Sequence, residues 1–263
     1  YLDFTNVDGF RLDAVKHIDF TFFTRWLKEL RNYSNRDLFA VGEYWHGDVN
    51  KLLHYLEVSN YCMSLFDVTL HFKFHYISSS NGTFDMGSIF EDTLVKKAPD
   101  YAVTFVENHD SQPGQSLQSS VANWFKPIAY ALILLRQYGY PCVFYGDYYG
   151  IPEYNVDSFK DVIDKMIKVR KELMYGKEHN YFDDNNIVGW SYEGDSQHLN
   201  SGFAVIVNDG PGGQKKMYVG KKHANEIFVD CLNNVLEEII IDKDGFGIFL
   251  VNGGSVSVWT KKI

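Results

Sequence analysis

Three short apolar stretches of this chain are each followed by carboxylic acids. The stretches are residues 7–12, 38–42 and 101–106. From the acids that follow them we select Asp13, Glu43 and Asp110. Mostly apolar stretches of this length suit strands buried on both faces of a parallel sheet. A charge at the end of such a strand is costly unless it is paired or used, and parallel α/β barrels carry their chemistry at that end. The three acids are therefore candidates for catalysis.

The first stretch ends in a dense polar cluster that contains Arg11, Asp13, Lys16 and His17. A catalytic carboxylate at Asp13 would be kept ionised by the neighbouring cation of Arg11. The alternative is an ordinary buried ion pair between the same two residues, which would serve only the fold. This stretch by itself leaves both interpretations open.

Strands alternate with helices over the first two thirds of the chain. We predict strands that begin near residues 7, 38, 62, 101 and 141, and helices over 18–33, from 51 onward, and over 86–97, 124–137 and 159–174. The third strand and the turn after it are expected within 61–70, and the fifth strand, from 141, is expected to stop at Gly146-Asp147. Such alternation predicts βα units around a parallel sheet. Five units are present, whereas a closed barrel needs eight.

Helical periodicity disappears from about residue 181. Short alternating stretches separated by Gly- and Asn-rich turns predict an all-β Greek-key module. We place the boundary so that 1–178 is an α/β domain, part of a barrel, and 179–263 is an antiparallel β domain. Trp190 and Trp259 of this module are expected in its core; the alternative is that they bind sugar at the surface.

Composition limits the possible partners. The chain has 263 residues, 25 Lys and Arg against 34 Asp and Glu, and a net charge of −9 without a basic stretch, which argues against nucleic acid. We find no apolar segment long enough to span a membrane and no N-terminal targeting segment. The three cysteines exclude a fully paired disulfide framework, and Cys62 and Cys142 are predicted to be small core residues.

Paired carboxylates at strand ends suit the hydrolysis of glycosidic bonds. A retaining glycosidase needs one acid as nucleophile and a second, about 5–5.5 Å away, as the acid/base. Asp13, beside Arg11, is expected to stay ionised and act as the nucleophile. Glu43, flanked by Tyr44 and Trp45, is expected to have a raised pKa and to protonate the leaving oxygen.

Three motifs strengthen this interpretation. GFRLDAVKH, VGEYW and FVENHD resemble, in order and spacing, the second, third and fourth signature regions of the α-amylase family. The resemblance is greatest to liquefying bacterial α-amylases and extends through QPGQSL, WFKPIAYA, GYPCVFYGDYYG, IVGW, NDGPGG and VNGGSVSVW. It implies a (β/α)8 barrel with a terminal β domain, and endo-hydrolysis of α-1,4-glucosidic bonds in starch, glycogen and maltodextrin.

The resemblance also implies a role for each matching residue. Asp13 corresponds to the nucleophile, Glu43 to the acid/base and Asp110 to the third acid, which grips sugar hydroxyls. The implied substrate contacts are Arg11, Lys16, His17, Trp45 and His109. Calcium is the implied cofactor, with the backbone carbonyl of His17 as one ligand. A further calcium site would use Asp209, together with Gly82, Phe84, Asn185 and Asn186. The two asparagines stand where the family has a His–Asp pair, and the loss of a carboxylate weakens such a site.

The family's barrel begins upstream of the residues matched here. The chain resembles barrel units four to eight, without the first signature region, so we expect it to be inactive and poorly soluble on its own. Transfer of the glucosyl intermediate to another sugar is an alternative activity of the same site. A non-catalytic starch-binding remnant is a second alternative, although all three acids are present. The intact protein is expected to be a monomer, and the sequence leaves secreted and cytoplasmic locations open.

Overall fold

The computed structural model describes residues 2–263, which form two compact units. Neither unit is one continuous piece of chain. The first contains the chain up to Phe72, with Phe90–Phe105 and Tyr138–Cys142. The second contains Lys73–Ile89, Val106–Gln137 and Val143–Ile263.

The first unit is built on a five-stranded parallel sheet whose strand order follows the chain. The strands are β1 (Gly9–Leu12), β2 (Phe39–Gly42), β3 (Ser64–Phe66), β4 (Ala102–Phe105) and β5 (Tyr140–Cys142). Leu12 pairs in register with Gly42, and Phe105 with Cys142. Because all five strands are parallel, their carboxyl ends lie along one edge of the sheet. The predicted parallel sheet of five strands is confirmed.

Helices precede and connect these strands. They are α1 (Leu2–Thr5), α2 (Phe20–Ser34), α3 (Val49–Val58), α4 (Val68–Ser78), which continues into the second unit, and α5 (Leu94–Lys97). Asp19 caps α2 by accepting a hydrogen bond from the Thr21 N–H at 2.8 Å, and Asn35 ends it in the left-handed conformation, φ 49°. Phe23 and Leu27 form its buried stripe. Local capping and apolar spacing thus account for this helix.

The second unit joins helices to antiparallel sheets. Its helices are α6 (Lys126–Leu134), α7 (Tyr145–Tyr149) and α8 (Lys160–Glu172). Its strands are β6 (Glu178–Tyr181), β7 (Ile187–Tyr192), β8 (Phe203–Asn208), β9 (Gly212–Tyr218), β10 (Ile227–Asp230), β11 (Ile239–Ile240), β12 (Phe246–Asn252) and β13 (Ser255–Lys261). Six of them form one sheet in the order β11-β10-β13-β8-β7-β6, and β12 pairs with β9.

Apolar side chains from these sheets form a continuous core that includes Ile206, Met217, Phe249 and Trp259. Trp190 and Trp259 are both fully buried, and each indole N–H donates to a backbone carbonyl, that of Leu135 at 2.7 Å and that of Leu250 at 3.1 Å. The expectation that both tryptophans are core residues is confirmed. Within residues 2–263, every helix is too short or too polar to span a membrane.

The predicted helix over 86–97 is wrong. The structure has a 3-10 turn at Met86–Ser88 and then α5, which begins only at Leu94. Asp92 has a left-handed φ of 52°, and the Thr93 hydroxyl caps the new helix by accepting from the Lys96 N–H at 3.3 Å. The apolar spacing over 86–97 therefore comes from two separate elements and does not indicate one continuous helix.

Two strand ends also differ from the prediction. Within 61–70, α4 starts at Val68 instead of a turn, because Asp67 caps it. The fifth strand ends at Cys142, and residues 145–149 form α7, so Asp147 lies in a helix rather than at a strand stop. Cys142 is exposed and not a core residue, since β5 is an edge strand of the sheet.

Candidate active site

The turn that follows β1 is fastened to the end of β2. Ala14 has left-handed backbone angles, φ 46° and ψ 42°, and its N–H donates to Glu43 Oε2 at 3.1 Å. The Val15 N–H donates to the Glu43 carbonyl at 3.0 Å, and the Glu43 N–H to the Leu12 carbonyl at 2.9 Å. This turn therefore fixes the backbone around Asp13 directly against Glu43.

Arg11 joins the two acids. Its guanidinium forms one ion pair with Asp13 Oδ1 and a second with Glu43 Oε2, the latter at 3.3 Å. The Asp13 side chain is 75% exposed, whereas that of Glu43 is 8% exposed. Two carboxyl groups from neighbouring strands therefore share one cation, and one of them is open to solvent while the other is held inside.

Lys16, His17 and Trp45 lie on the segments that follow these strand ends. The Lys16 ammonium donates to the Trp45 carbonyl at 3.1 Å, which ties the two segments together. Trp45 is half-buried, with its ring 5.4 Å from that of His71. His17 is exposed, and its N–H donates to the Ala14 carbonyl at 3.0 Å.

His109 and Asp110 belong to the second unit, in the turn that follows β4. The His109 side chain is 62% exposed, and its Nε2 lies 3.3 Å from Asp110 Oδ2. Asn108 folds the turn, since its side-chain oxygen accepts from the backbone N–H groups of Asp110 at 2.9 Å and Ser111 at 2.8 Å. That this pair meets Asp13 and Glu43 around one sugar ring stays a prediction.

A buried charged cluster lies behind this turn, and the sequence analysis missed it. The Lys126 ammonium lies 3.3 Å from Glu107 Oε2 and also binds Asp147. All three side chains are about 1% exposed or less. Burial raises the pKa of both Glu107 and Asp147, while the Lys126 charge acts in the opposite direction. The available signal was a lysine at the start of an otherwise apolar stretch, 126–134.

Like Glu107, Asp67 is an acid at a strand end that the sequence analysis did not single out. It follows β3, is fully buried, and accepts hydrogen bonds from Thr69 Oγ1 at 2.6 Å and from the Leu70 and Val95 N–H groups at 3.0 and 2.8 Å. Burial raises its pKa. It therefore holds the first turns of α4 and α5. An acid directly before an apolar helix is the sequence signal for such a cap.

The residues predicted to bind calcium show a mixed fit. Among residues 2–263, we find no group of three or more His, Cys, Asp or Glu side chains that could hold a metal ion. Asp209 Oδ2 is buried and has no hydrogen-bond partner within the described residues, which suits a hard cation. The Asn186 amide nitrogen, however, donates to both Gly82 O and Asp209 Oδ1 at 2.8 Å, where a calcium site requires another oxygen.

Residues 1–209 match the family described as α-amylase, catalytic domain, and residues 203–260 match the family described as α-amylase C-terminal. The chain belongs to the α-amylase family.

Curated relatives match along the whole chain. The α-amylase of Geobacillus stearothermophilus is 55% identical over 262 residues, which are 100% of this chain and 48% of the relative. The α-amylase of Bacillus licheniformis is 48% identical over 265 residues, covering 100% of this chain and 52% of the relative. The cytoplasmic α-amylase of Escherichia coli K12 is 40% identical and is covered to 53%. This α-amylase-family chain thus spans about half the length of these relatives.

Solved structures support the same fold. An Anoxybacillus α-amylase superposes with a TM-score of 0.67 at 19% identity, covering 100% of this chain and 61% of the other. A mutant of α-amylase I from Eisenia fetida in complex with maltohexaose gives 0.68 at 14% identity, covering 98% and 62%. The five parallel strands are therefore part of an α-amylase (β/α)8 barrel, and the antiparallel sheets lie in the C-terminal part of the chain.

Proposed function

We propose that the protein to which this chain belongs is a retaining α-amylase, which cleaves internal α-1,4-glucosidic bonds of starch, glycogen and maltodextrin. Its membership of the α-amylase family supports the reaction class. The observation that carries the proposal is the pair of carboxyl groups, on neighbouring parallel strands, that share the Arg11 guanidinium. Retaining hydrolysis needs two carboxyl groups held close together on either side of the scissile bond.

Exposure and hydrogen bonding suggest how the two acids divide the work. Asp13, the more exposed carboxylate, attacks the anomeric carbon and forms a glycosyl ester, while Arg11 balances its charge. Glu43 has Oε2 engaged by Arg11 and the Ala14 N–H, so we assign proton transfer to Oε1. Glu43 protonates the leaving oxygen, then takes a proton from the water that hydrolyses the ester.

The remaining predicted residues bind the glucan. We assign Asp110 and His109 to hydroxyl groups of the sugar at the cleavage point, and Lys16, His17 and Trp45 to the leaving-group side. The hydrogen bond from Lys16 to the Trp45 carbonyl supports the placement of these two residues in one subsite.

Glu43→Gln in the full-length protein tests the assignment. The variant keeps the shape of the side chain but cannot donate a proton as a carboxylic acid, so kcat on soluble starch should fall by at least about 100-fold while starch binding persists. Glu57→Gln, an exposed glutamate on α3, is the matched control and should leave kcat unchanged. A Glu43→Gln enzyme whose kcat stays within a few-fold of the parent would remove Glu43 from the acid/base role.

The same experiment separates the alternatives. A parent protein that binds starch without turning it over would be a binding remnant. A parent that elongates added maltose in preference to releasing reducing ends would be a transglycosylase.

We further propose calcium as the ion of the intact protein at two separate sites, one with the His17 carbonyl among its ligands and a further one with the Asp209 carboxylate among its ligands. Asp209 Oδ2 is buried and has no hydrogen-bond partner among residues 2–263, which supports a cation at that position, whereas the Asn186 amide opposes it. Such an ion would link the segments that carry Gly82 and Asp209 and would take no part in bond cleavage.

Asn186→Asp tests this calcium site. The substitution replaces the amide donor by a carboxylate beside Asp209, so calcium should raise the melting temperature more than in the parent, and chelator should lower it further. Asn32→Asp adds the same charge at an exposed side chain of α2, outside the proposed site, and is the matched control. Equal calcium shifts in the two variants, measured by thermal denaturation with and without chelator, would exclude calcium at Asp209.

A further inference from the structure

We propose that the buried pair Lys126–Glu107 is a positioning device, which holds the turn carrying His109 and Asp110 in the geometry that substrate binding needs. The proposal rests on the proposed function of this site, since it assigns no new reaction. The Lys126 and Glu107 side chains are each 1% exposed, too deeply buried to contact a substrate, so we call them positioning residues.

Glu107 connects the interior to the turn. Its Oε1 accepts a hydrogen bond from the Ser111 hydroxyl at 2.8 Å, and its Oε2 accepts one from the Val121 N–H at 3.1 Å and pairs with Lys126. Both carboxylate oxygens are therefore in use, and the orientation of the group is fixed by Lys126 from one side and Ser111 from the other.

Ser111 passes this constraint to the backbone. Its hydroxyl oxygen accepts from the Asn108 N–H at 3.0 Å, and its own N–H donates to the Asn108 side chain at 2.8 Å. The Asp110 N–H donates to the same Asn108 oxygen at 2.9 Å. Residues 108–111 are therefore closed by hydrogen bonds at both ends, and His109 and Asp110 lie between them.

The far end of the cluster contacts another part of the fold. Asp147, which binds Lys126, also accepts a hydrogen bond from the Tyr130 hydroxyl at 2.7 Å. The two ends of the cluster can therefore be compared by removing one hydroxyl group at each. The Ser111 hydroxyl connects the cluster to the turn, and the Tyr130 hydroxyl connects it to another part of the fold.

A purely stabilising role explains this arrangement poorly. Buried ion pairs contribute little net stability, and replacement by apolar side chains is often neutral or favourable. Three charged side chains buried beside the turn that carries the exposed His109 and the half-buried Asp110 are better explained by the precision that they give to that turn.

The test compares Ser111→Ala with Tyr130→Phe in the full-length protein. Each variant loses one hydroxyl bonded to a carboxylate of the cluster, so similar losses of thermal stability are expected. Ser111→Ala should lower kcat on maltodextrin by about ten-fold or more, because small displacements of a substrate-positioning group are costly. Tyr130→Phe should stay within two-fold of the parent.

Amide hydrogen exchange gives a second readout that does not depend on activity. Exchange in the peptide that contains residues 108–111 should be faster in Ser111→Ala than in Tyr130→Phe or the parent. Should the parent itself prove inactive, the proposed function fails and the exchange result alone decides whether the cluster positions the turn. Equal exchange in both variants, or equal kcat in an active enzyme, overturns the inference.

Discussion

Ala14 is the residue on which the geometry around Asp13 and Glu43 depends most directly. A left-handed conformation costs a residue other than glycine about 1–2 kcal/mol. That cost is met here by three hydrogen bonds that join residues 12–15 to Glu43: two connect backbone groups, and the third runs from the Ala14 N–H to the Glu43 carboxylate. Strained residues of this kind are often found at functional sites.

Ala14→Val should be destabilising and should impair activity. A β-branched side chain is a severe outlier at positive φ, so we expect the free energy of unfolding to fall by about 2 kcal/mol and kcat/KM to fall with it. Ala14→Gly, which tolerates the same angles, should change stability by less than about 1 kcal/mol. Denaturant unfolding and starch assays of both variants test this, and equal stability of the two would show that the turn is not strained.

At the scale of secondary structure elements, the ends of the parallel strands carry acids of two kinds. Asp13 and Glu43 follow β1 and β2 and both bind Arg11, with the Asp13 side chain 75% exposed and that of Glu43 8% exposed. Asp67 and Glu107, after β3 and β4, are buried and bond to helix starts or to Lys126. A carboxylate after a buried strand therefore marks the carboxyl end of that strand in the sheet. The burial of each acid and the groups that bind it decide whether it can reach a substrate.

The buried cluster should make stability depend on pH. Burial raises the pKa of Glu107 and Asp147 above their unfolded values of 4.5 and 3.8. The folded protein then holds protons that the unfolded chain has already lost. Their contribution to stability is therefore present below pH 4 and is lost as the pH rises through the folded pKa values.

Asp147→Asn isolates this effect. The amide removes one of the two acids whose pKa burial raises, so the free energy of unfolding should decline less between pH 5 and pH 8 than in the parent. The exposed Asp161→Asn on α8 is the control. Denaturant titrations at the two pH values measure the difference, and parallel declines in parent and Asp147→Asn would contradict the account.

The sequence was sufficient to locate the five parallel strands and helices such as α2 and α8, because their signals are local, but it missed α4 (Val68–Ser78). Apolar stretches located β1, β2 and β4, and the stripe of Phe23 and Leu27 located α2. It failed over 86–97 and after residue 142, where a left-handed Asp92 and a short helix at Tyr145 interrupt a continuous apolar pattern.

The prediction of the site was limited in the same way, because it too rested on local sequence signals. Adjacent strand ends suggested that Asp13 and Glu43 lie together, but no local pattern revealed that Arg11 binds both of them. Lys126 meets Glu107 and Asp147 from 19 and 21 residues away, so only the folded chain shows their contact. Long-range charge pairing is what single-sequence reasoning cannot supply.

At the scale of the whole molecule, the chain accounts for about half of an α-amylase of the kind it resembles. In the first unit, β1 and β5 are the edges of the parallel sheet. Unpaired edges of this kind favour aggregation, so we propose that residues 1–263 alone are inactive and poorly soluble. The boundary between domains 1–178 and 179–263 likewise remains a proposal.

The central claim is that Asp13 forms a glycosyl ester during retaining hydrolysis. The most direct measurement is to trap that ester in the full-length protein with a fluorinated maltosyl fluoride and to locate the adduct by peptide mass spectrometry. We predict a single glycosyl adduct on Asp13, formed as activity is lost. An adduct on Glu43, Asp110 or any other residue, or a product of inverted anomeric configuration, would contradict the account.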